Sequence, residues 1–233
     1  MSRARISLAL GHVLRTQAFR DSSLLVEAFT EEHGRIGLVA RGARSPQSRK
    51  RALLQPFQPL LLSWTEQGDL GSLTAIEAAA PPVPLAGELV FSGWYLNEIL
   101  LRLVQRHDPH PVLYAAYGRT LHDLAAATEA SLRIFEKQLL AELGYGLQLF
   151  DDLLPDQHYR YDDEEGPVPV GPEAPGALSG DSLIALRDER FETPQQLRQA
   201  RQLLRASLRP LLGTQELESA RLLKQLRARG GAS

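Results

Sequence analysis

The chain has 233 residues, 43% hydrophobic and 23% charged, the composition of an ordinary globular protein with room for two modest domains. It holds no cysteine, which excludes disulfides, thiolate chemistry and every zinc site built on sulfur. Its net charge of −2 conceals an asymmetry, because residues 1–55 carry ten Lys or Arg and only four acids, a net +6 that leaves −8 on the remainder. Such polarity suits a front end that meets a polyanion, with a merely solvated basic face as the plainer alternative.

In chain order, Met1 to Ile6 has two early arginines but no apolar run of signal-peptide length, and no uncharged stretch approaches the ~20 residues that span a bilayer. A cytoplasmic address is expected. Ile6, Leu8 and Leu10 alternate with smaller residues, a period of two that predicts a half-buried strand with those three inward. Strands over Leu24–Thr30 and Arg35–Arg41 flank Glu31-Glu32-His33-Gly34, whose glycine suits a hairpin. Two more are predicted over Phe57–Trp64 and Leu70–Ala78, joined through the turn Glu66-Gln67-Gly68-Asp69. Five short strands in about 80 residues fit a small barrel, and the five-stranded OB-fold is the common one that meets nucleic acid.

Ala80-Pro81-Pro82-Val83-Pro84 cannot continue a central strand or a helix interior. The predicted organisation is α+β: an OB-fold domain at 1–80, a Pro-rich linker at 81–85 and a mostly helical domain at 86–233. Leu89, Leu96, Ile99, Leu100 and Leu103 mark one helix, broken by Pro109 and Pro111. A second helix is predicted from Val112 to Ala127. A third carries Leu132, Phe135, Leu139 and Leu143 and stops at Gly144 or Gly146. Residues 150–180 read as an irregular lobe with one hairpin near Tyr159 and Tyr161. Gly180-Asp181-Ser182 opens a short helix, Thr193-Pro194 a longer one with Thr as N-cap and Pro at N1, and Gln215–Arg229 forms the last.

The sharpest local feature is the segment Val39 to Arg51. It places Arg41, Arg44, Arg49, Lys50 and Arg51 among Gly, Ser and Pro with no acid, as a flexible loop that follows a phosphate backbone would. A solubilising loop is the plainer reading. On the strand before it, Arg35 and Arg41 share one face and extend the same positive surface, while Ile36, Leu38 and Ala40 face the core. Phe57 and Trp64 fit core packing, which leaves Phe19, beside Arg20, as the one base-stacking candidate. The six histidines are scattered, the acids of the lobe read as solvated, and no phosphate-binding, nucleophile-elbow or dinucleotide motif is present. No catalytic residue and no metal or cofactor site is therefore expected.

Three stretches together resemble a known family. Arg20-Asp21-Ser22-Ser23-Leu24-Leu25, the run Glu32 to Arg44 and Leu54-Gln55-Pro56-Phe57-Gln58-Pro59-Leu60 resemble the N-terminal barrel of the RecO family of bacterial recombination mediators. Ser92-Gly93-Trp94-Tyr95-Leu96-Asn97-Glu98-Ile99-Leu100 is similar to the first helix of that family's second domain. Leu132 to Glu136 and Glu142-Leu143-Gly144-Tyr145-Gly146-Leu147 are similar to its third. The resemblance implies a protein that binds single- and double-stranded DNA and anneals complementary strands without hydrolysing nucleotide. It implies RecR as partner, contact with the C-terminal tail of single-stranded-DNA-binding protein, assistance in loading RecA, and a nucleoid-associated place in the cell. By the same resemblance the DNA surface comprises Arg35, Arg41, Arg44, Arg49, Lys50 and Arg51, and the tail pocket lies around Arg133; Arg20, beside Phe19, is counted with the DNA-binding cations. Many relatives carry four zinc-binding cysteines after the Gly-Tyr-Gly-Leu turn; this chain has none, so its lobe is expected to fold without zinc. Two other readings remain: an adaptor whose barrel docks an acidic protein, and an RNA-binding barrel protein.

Overall fold

The computed structural model of the protein describes residues 4–66, 68–125 and 129–230. Gln67 of the expected turn, and Ala126 and Ala127 at the expected end of the second helix, lie outside the described residues.

Five strands close into a barrel: β1 (Arg5–Phe19), β2 (Ser23–Thr30), β3 (Gly34–Ala40), β4 (Pro59–Thr65) and β5 (Gly71–Ala78). Their order round the barrel is β1-β2-β3-β5-β4, every pair antiparallel except β3 with β5. This is the OB-fold. Closure leaves no free sheet edge, because the long β1 pairs with β2 along one side and β4 along the other. Val13, Val26, Ala28, Ile36, Leu38, Leu60, Leu62 and Trp64 fill the interior, as the alternation of β3 and β4 predicts. The β2–β3 turn needs its glycine: Gly34 has φ +63°, and a Cβ there would sit 2.1 Å from the carbonyl oxygen of Asp108.

The start of β1 departs from its sequence pattern. Leu8 and Leu10 are exposed and Ala9 is buried, the reverse of the predicted face. A bulge between Ile6 and Ala9, with Leu8 at φ +54°, shifts the register by one and turns the following side chains over. Between β3 and β4 the basic segment is built rather than loose. It includes a short helix, α1 (Arg49–Leu53), held down by the buried Ala43 and Leu54.

Two long helices follow, α2 (Leu89–Leu103) and α3 (Pro111–Ala125), and the chain's last helix, α7 (Glu218–Gly230), packs back on α2. They belong with the barrel. The chain divides into two compact units, Met1–Ala125 with Glu216–Ser233, and Ala126–Gln215. The Pro-rich segment lies inside the first of these units. The physical reason lies in Asn97 of α2, whose Nδ2 donates to the Leu14 carbonyl of β1 at 3.0 Å while its Oδ1 accepts from the Tyr117 hydroxyl of α3 at 2.6 Å. Tyr114 and Tyr117 also enclose Phe29 and His12 of the barrel.

The second unit contains α4 (Glu129–Glu142), β6 (His158–Asp162), β7 (Gly166–Val170), β8 (Leu178–Ser179), α5 (Gly180–Asp188) and α6 (Pro194–Leu212). The lobe is more than one hairpin, since β8 adds a third strand beside β6. Tyrosine hydroxyls hold its approach: Tyr159 accepts from the Leu154 N–H and Tyr161 from the Gln148 N–H. Thr193 and Gln196 form a reciprocal capping box at the start of α6, with Pro194 in its first turn, as the sequence indicates.

Candidate nucleic-acid interface

The barrel end carrying the basic residues is assembled from two segments 20 residues and more apart in sequence. One is the turn between β1 and β2, where Arg20 adopts φ +53° and its guanidinium lies 5.1 Å over the Phe19 ring. The other is the stretch from Arg41 to Gln55. Arg44 joins them: its backbone N–H donates to the Ser22 carbonyl at 3.0 Å, and its Nη1 donates to the carbonyls of Arg20 at 2.8 Å and Asp21 at 3.1 Å. Arg51 Nη1 then donates to the Arg44 carbonyl, and Gln55 Nε2 to the Arg51 carbonyl. The result is a cleft of about 390 Å³ lined by Thr16, Leu24, Arg44, Arg51, Leu54 and Gln55. Sequence reasoning missed Thr16, Leu24 and Gln55, which carry no charge to mark them.

Arg20, Arg41, Arg44, Arg49 and Arg51 are exposed and Lys50 is half-buried. Among the described residues, none of these six cations forms an ion pair with a carboxylate. Their charge is left to act on solvent and on any polyanion that approaches.

Arg35 does not belong to this surface. It is the second residue of β3, six residues before Arg41 and roughly 20 Å along an extended strand. Its side chain is only 17% exposed, with Nη1 on Glu27 at 2.9 Å and Nε on the Val104 carbonyl at 2.9 Å. Arg106 contributes a second guanidinium to the same Glu27 carboxylate. Glu27 and Arg35 thus tie the barrel wall to the segment after α2, which is a structural role.

Arg133 is likewise not a surface cation. It is 5% exposed on α4, and its Nη2 lies 3.0 Å from the carboxylate of Glu136 one turn on. The sequence shows a charged residue on an amphipathic helix but not this burial or this pairing. Three of the four cations of α7 are exposed but matched: Arg221 with Glu218, Lys224 with Glu216 and Arg227 with Glu88. Phe57 and Trp64 are core residues. Among the described residues, no three His, Asp or Glu are grouped to hold a metal ion, and no helix is long and apolar enough to cross a membrane.

Comparison with known proteins covers almost the whole chain. Residues 6–82 match the family model described as Recombination protein O N terminal, and residues 87–221 match Recombination protein O C terminal. A protein of Alkalilimnicola ehrlichii is 44% identical over 97% of this chain and 94% of its own length. One of Methylococcus capsulatus is 42% identical over 95% of this chain and 94% of its own. One of Dechloromonas aromatica is 40% identical over 96% and 98%. Each is named DNA repair protein RecO. With both family models matched and relatives at least 40% identical over nearly the whole length, the chain belongs to the RecO family.

Proposed function

We propose that this protein acts in DNA repair and recombination by holding DNA strands at the basic end of its barrel and annealing complementary ones. In that reading it partners RecR, engages the tail of single-stranded-DNA-binding protein, and helps place RecA on coated DNA. It does this by binding alone, without a catalytic step of its own. The observation that carries the reading is the set of Arg20, Arg41, Arg44, Arg49, Lys50 and Arg51 on the two segments that Arg44 joins, with Arg44 and Arg51 lining the cleft and none of the six ion-paired to a carboxylate among the described residues. A surface of this kind grips phosphates and ignores base identity, which strand annealing requires. The bonds from Arg44 to the β1–β2 turn fix the cluster's outline, so each phosphate contact costs little ordering of the protein.

The test is annealing of two complementary oligonucleotides, bare and precoated with single-stranded-DNA-binding protein, the coat intact or lacking its acidic tail. Wild type is compared with an Arg44/Arg49/Lys50/Arg51→Ala variant. Fast annealing by wild type, lost in the variant and slowed on tailless coat, supports the reading. No annealing by wild type on bare strands overturns it in favour of a barrel that docks an acidic protein.

A further inference from the structure

The second compact unit carries a basic surface of its own, on α6. Its residues Arg198, Arg201, Arg205 and Arg209 recur at intervals of three and four, so they fall on one face of the helix. All four are exposed, as is Gln202 between them, while Gln196, Ala200, Leu203, Leu204 and Leu208 are buried on the opposite face. The 19 residues of α6 include no acid. Among the described residues the stripe's ion pair is Arg201 with Glu129 at 3.8 Å, both partners over half exposed and the attraction screened by solvent. The α7 cations, by contrast, mostly sit on carboxylates.

We infer that this stripe is a second strand-holding surface, taking the phosphodiester backbone of a single DNA strand, an inference that rests on the DNA-binding reading of the barrel. From Arg198 to Arg209 the helix rises about 16 Å, the span of about five phosphates at the rise of one B-form strand. Four guanidiniums in file match a repeating anion. The groove they line, about 430 Å³, adds only Gln202 and Ala206. A carboxylate-ended peptide would want one clamp and an apolar pocket, and the groove offers no large apolar side chain. With one strand on each unit, a single chain holds both at high effective concentration, which is what pairing them needs.

The experiment uses two non-complementary oligonucleotides, one with a donor dye and one with an acceptor, mixed with the full-length protein. Wild type brings them together and gives energy transfer. An R198Q/R201Q/R205Q/R209Q variant is expected to bind a single oligonucleotide within about twofold of wild type at the barrel but to lose the transfer, its second-site affinity falling at least tenfold. The corresponding Arg→Lys variant keeps the charge and is expected to keep most of the transfer. Both should melt at the wild-type temperature, since the four side chains are exposed. Full transfer by the glutamine variant overturns the inference and leaves the barrel reading intact. Loss of polyglutamate-peptide binding with transfer unchanged also overturns it, and makes an acidic protein the occupant. If the barrel alanine variant binds and bridges as wild type does, the barrel reading fails, while the dependence of transfer on α6 still decides the stripe.

Discussion

The Tyr117 hydroxyl donates to Asn97 Oδ1 at 2.6 Å, and the same amide donates from Nδ2 to the Leu14 carbonyl, so one buried side chain fastens α2 and α3 to the longest barrel strand. Next to it in sequence, Glu98 accepts from the backbone N–H groups of Glu218 and Ser219 and from the Ser219 hydroxyl. Burial pushes the Glu98 carboxyl up, but those hydrogen bonds and Arg102 outweigh it and hold the group below the usual carboxylate range. The Tyr-x-Asn-Glu run that resembles the family's first helix thus has a physical purpose: Asn97 binds the barrel and Glu98 caps α7.

Asn97→Ala should therefore be costly. It leaves the Leu14 carbonyl and the Tyr117 hydroxyl without this partner in a dry site, at about 1–3 kcal/mol for each group. Chemical denaturation should show a lowered midpoint with an unchanged slope. Tyr117→Phe should cost less than Asn97→Ala, because it removes the donor and leaves only one acceptor lone pair unused.

Arg35 and the cleft arginines should separate cleanly by two measurements. Arg35→Gln breaks one of the two ion pairs of the almost fully buried Glu27, which keeps Arg106, and should lower stability by about 2 kcal/mol while leaving the salt dependence of DNA binding unchanged. Arg49→Ala should do the opposite, with no change in melting temperature and a salt slope shallower by about 0.7 on single strands. An Arg35→Gln variant with native stability and a reduced salt slope would reverse the assignment of Arg35 made above.

His12 gives the barrel a pH dependence. It is 4% exposed beside Phe29, Tyr114 and Tyr117, and burial lowers its pKa from 6.5 to about 4. The folded state therefore prefers the neutral ring. Above pH 6.5 neither state binds the proton and stability is full. Between pH 6.5 and about 4 the unfolded chain takes it first, and stability falls by up to about 3 kcal/mol. Below that window both states are protonated and this contribution levels off. His12→Phe should flatten the stability profile between those limits, measured by denaturation at a series of pH values. An unchanged slope would show that other groups carry it.

Arg44 has two roles, and its substitutions should expose both. Arg44→Lys keeps a positive charge but cannot span the carbonyls of Arg20 and Asp21 as the guanidinium does. It should bind DNA more weakly than wild type with nearly the same salt slope. Hydrogen exchange at the β1–β2 turn should speed up in that variant and not in Arg49→Ala.

Much of the barrel is legible in the sequence because turn chemistry and alternation agree there: Gly34 marks its hairpin, and Ile36, Leu38 and Ala40 alternate into the core. The same rule failed for Leu8 and Leu10, since a bulge leaves no mark in a pattern of apolar residues. Helix α1 was missed because five residues hold too little periodicity to register, and its stability comes from Ala43 and Leu54 packing into the barrel. Charge is the harder problem. Arg35 and Arg44 look alike in sequence, and only pairing distinguishes them. The register that follows from Gly34 sets Phe29 opposite Arg35 and Glu27 opposite Gly37, so Glu27 lies diagonally across from Arg35, a relation the hairpin alone implies. The arginines of α6 were equally readable, at i, i+3, i+7 and i+11 behind a well-marked N-cap, but an acidic average over the rest of the chain hid them.

The return of α7 to α2 makes the first unit discontinuous along the chain, with the whole second unit spliced between α3 and α7. During synthesis the barrel, α2 and α3 leave the ribosome long before the residues that complete them. Glu98 must then wait, capping nothing and paired only within its own helix through Arg102, until some 120 further residues have emerged. The second unit has by that time had the chance to fold. Assembly of the first unit is in this sense a late event, and a chain released early would carry the barrel without its final clasp.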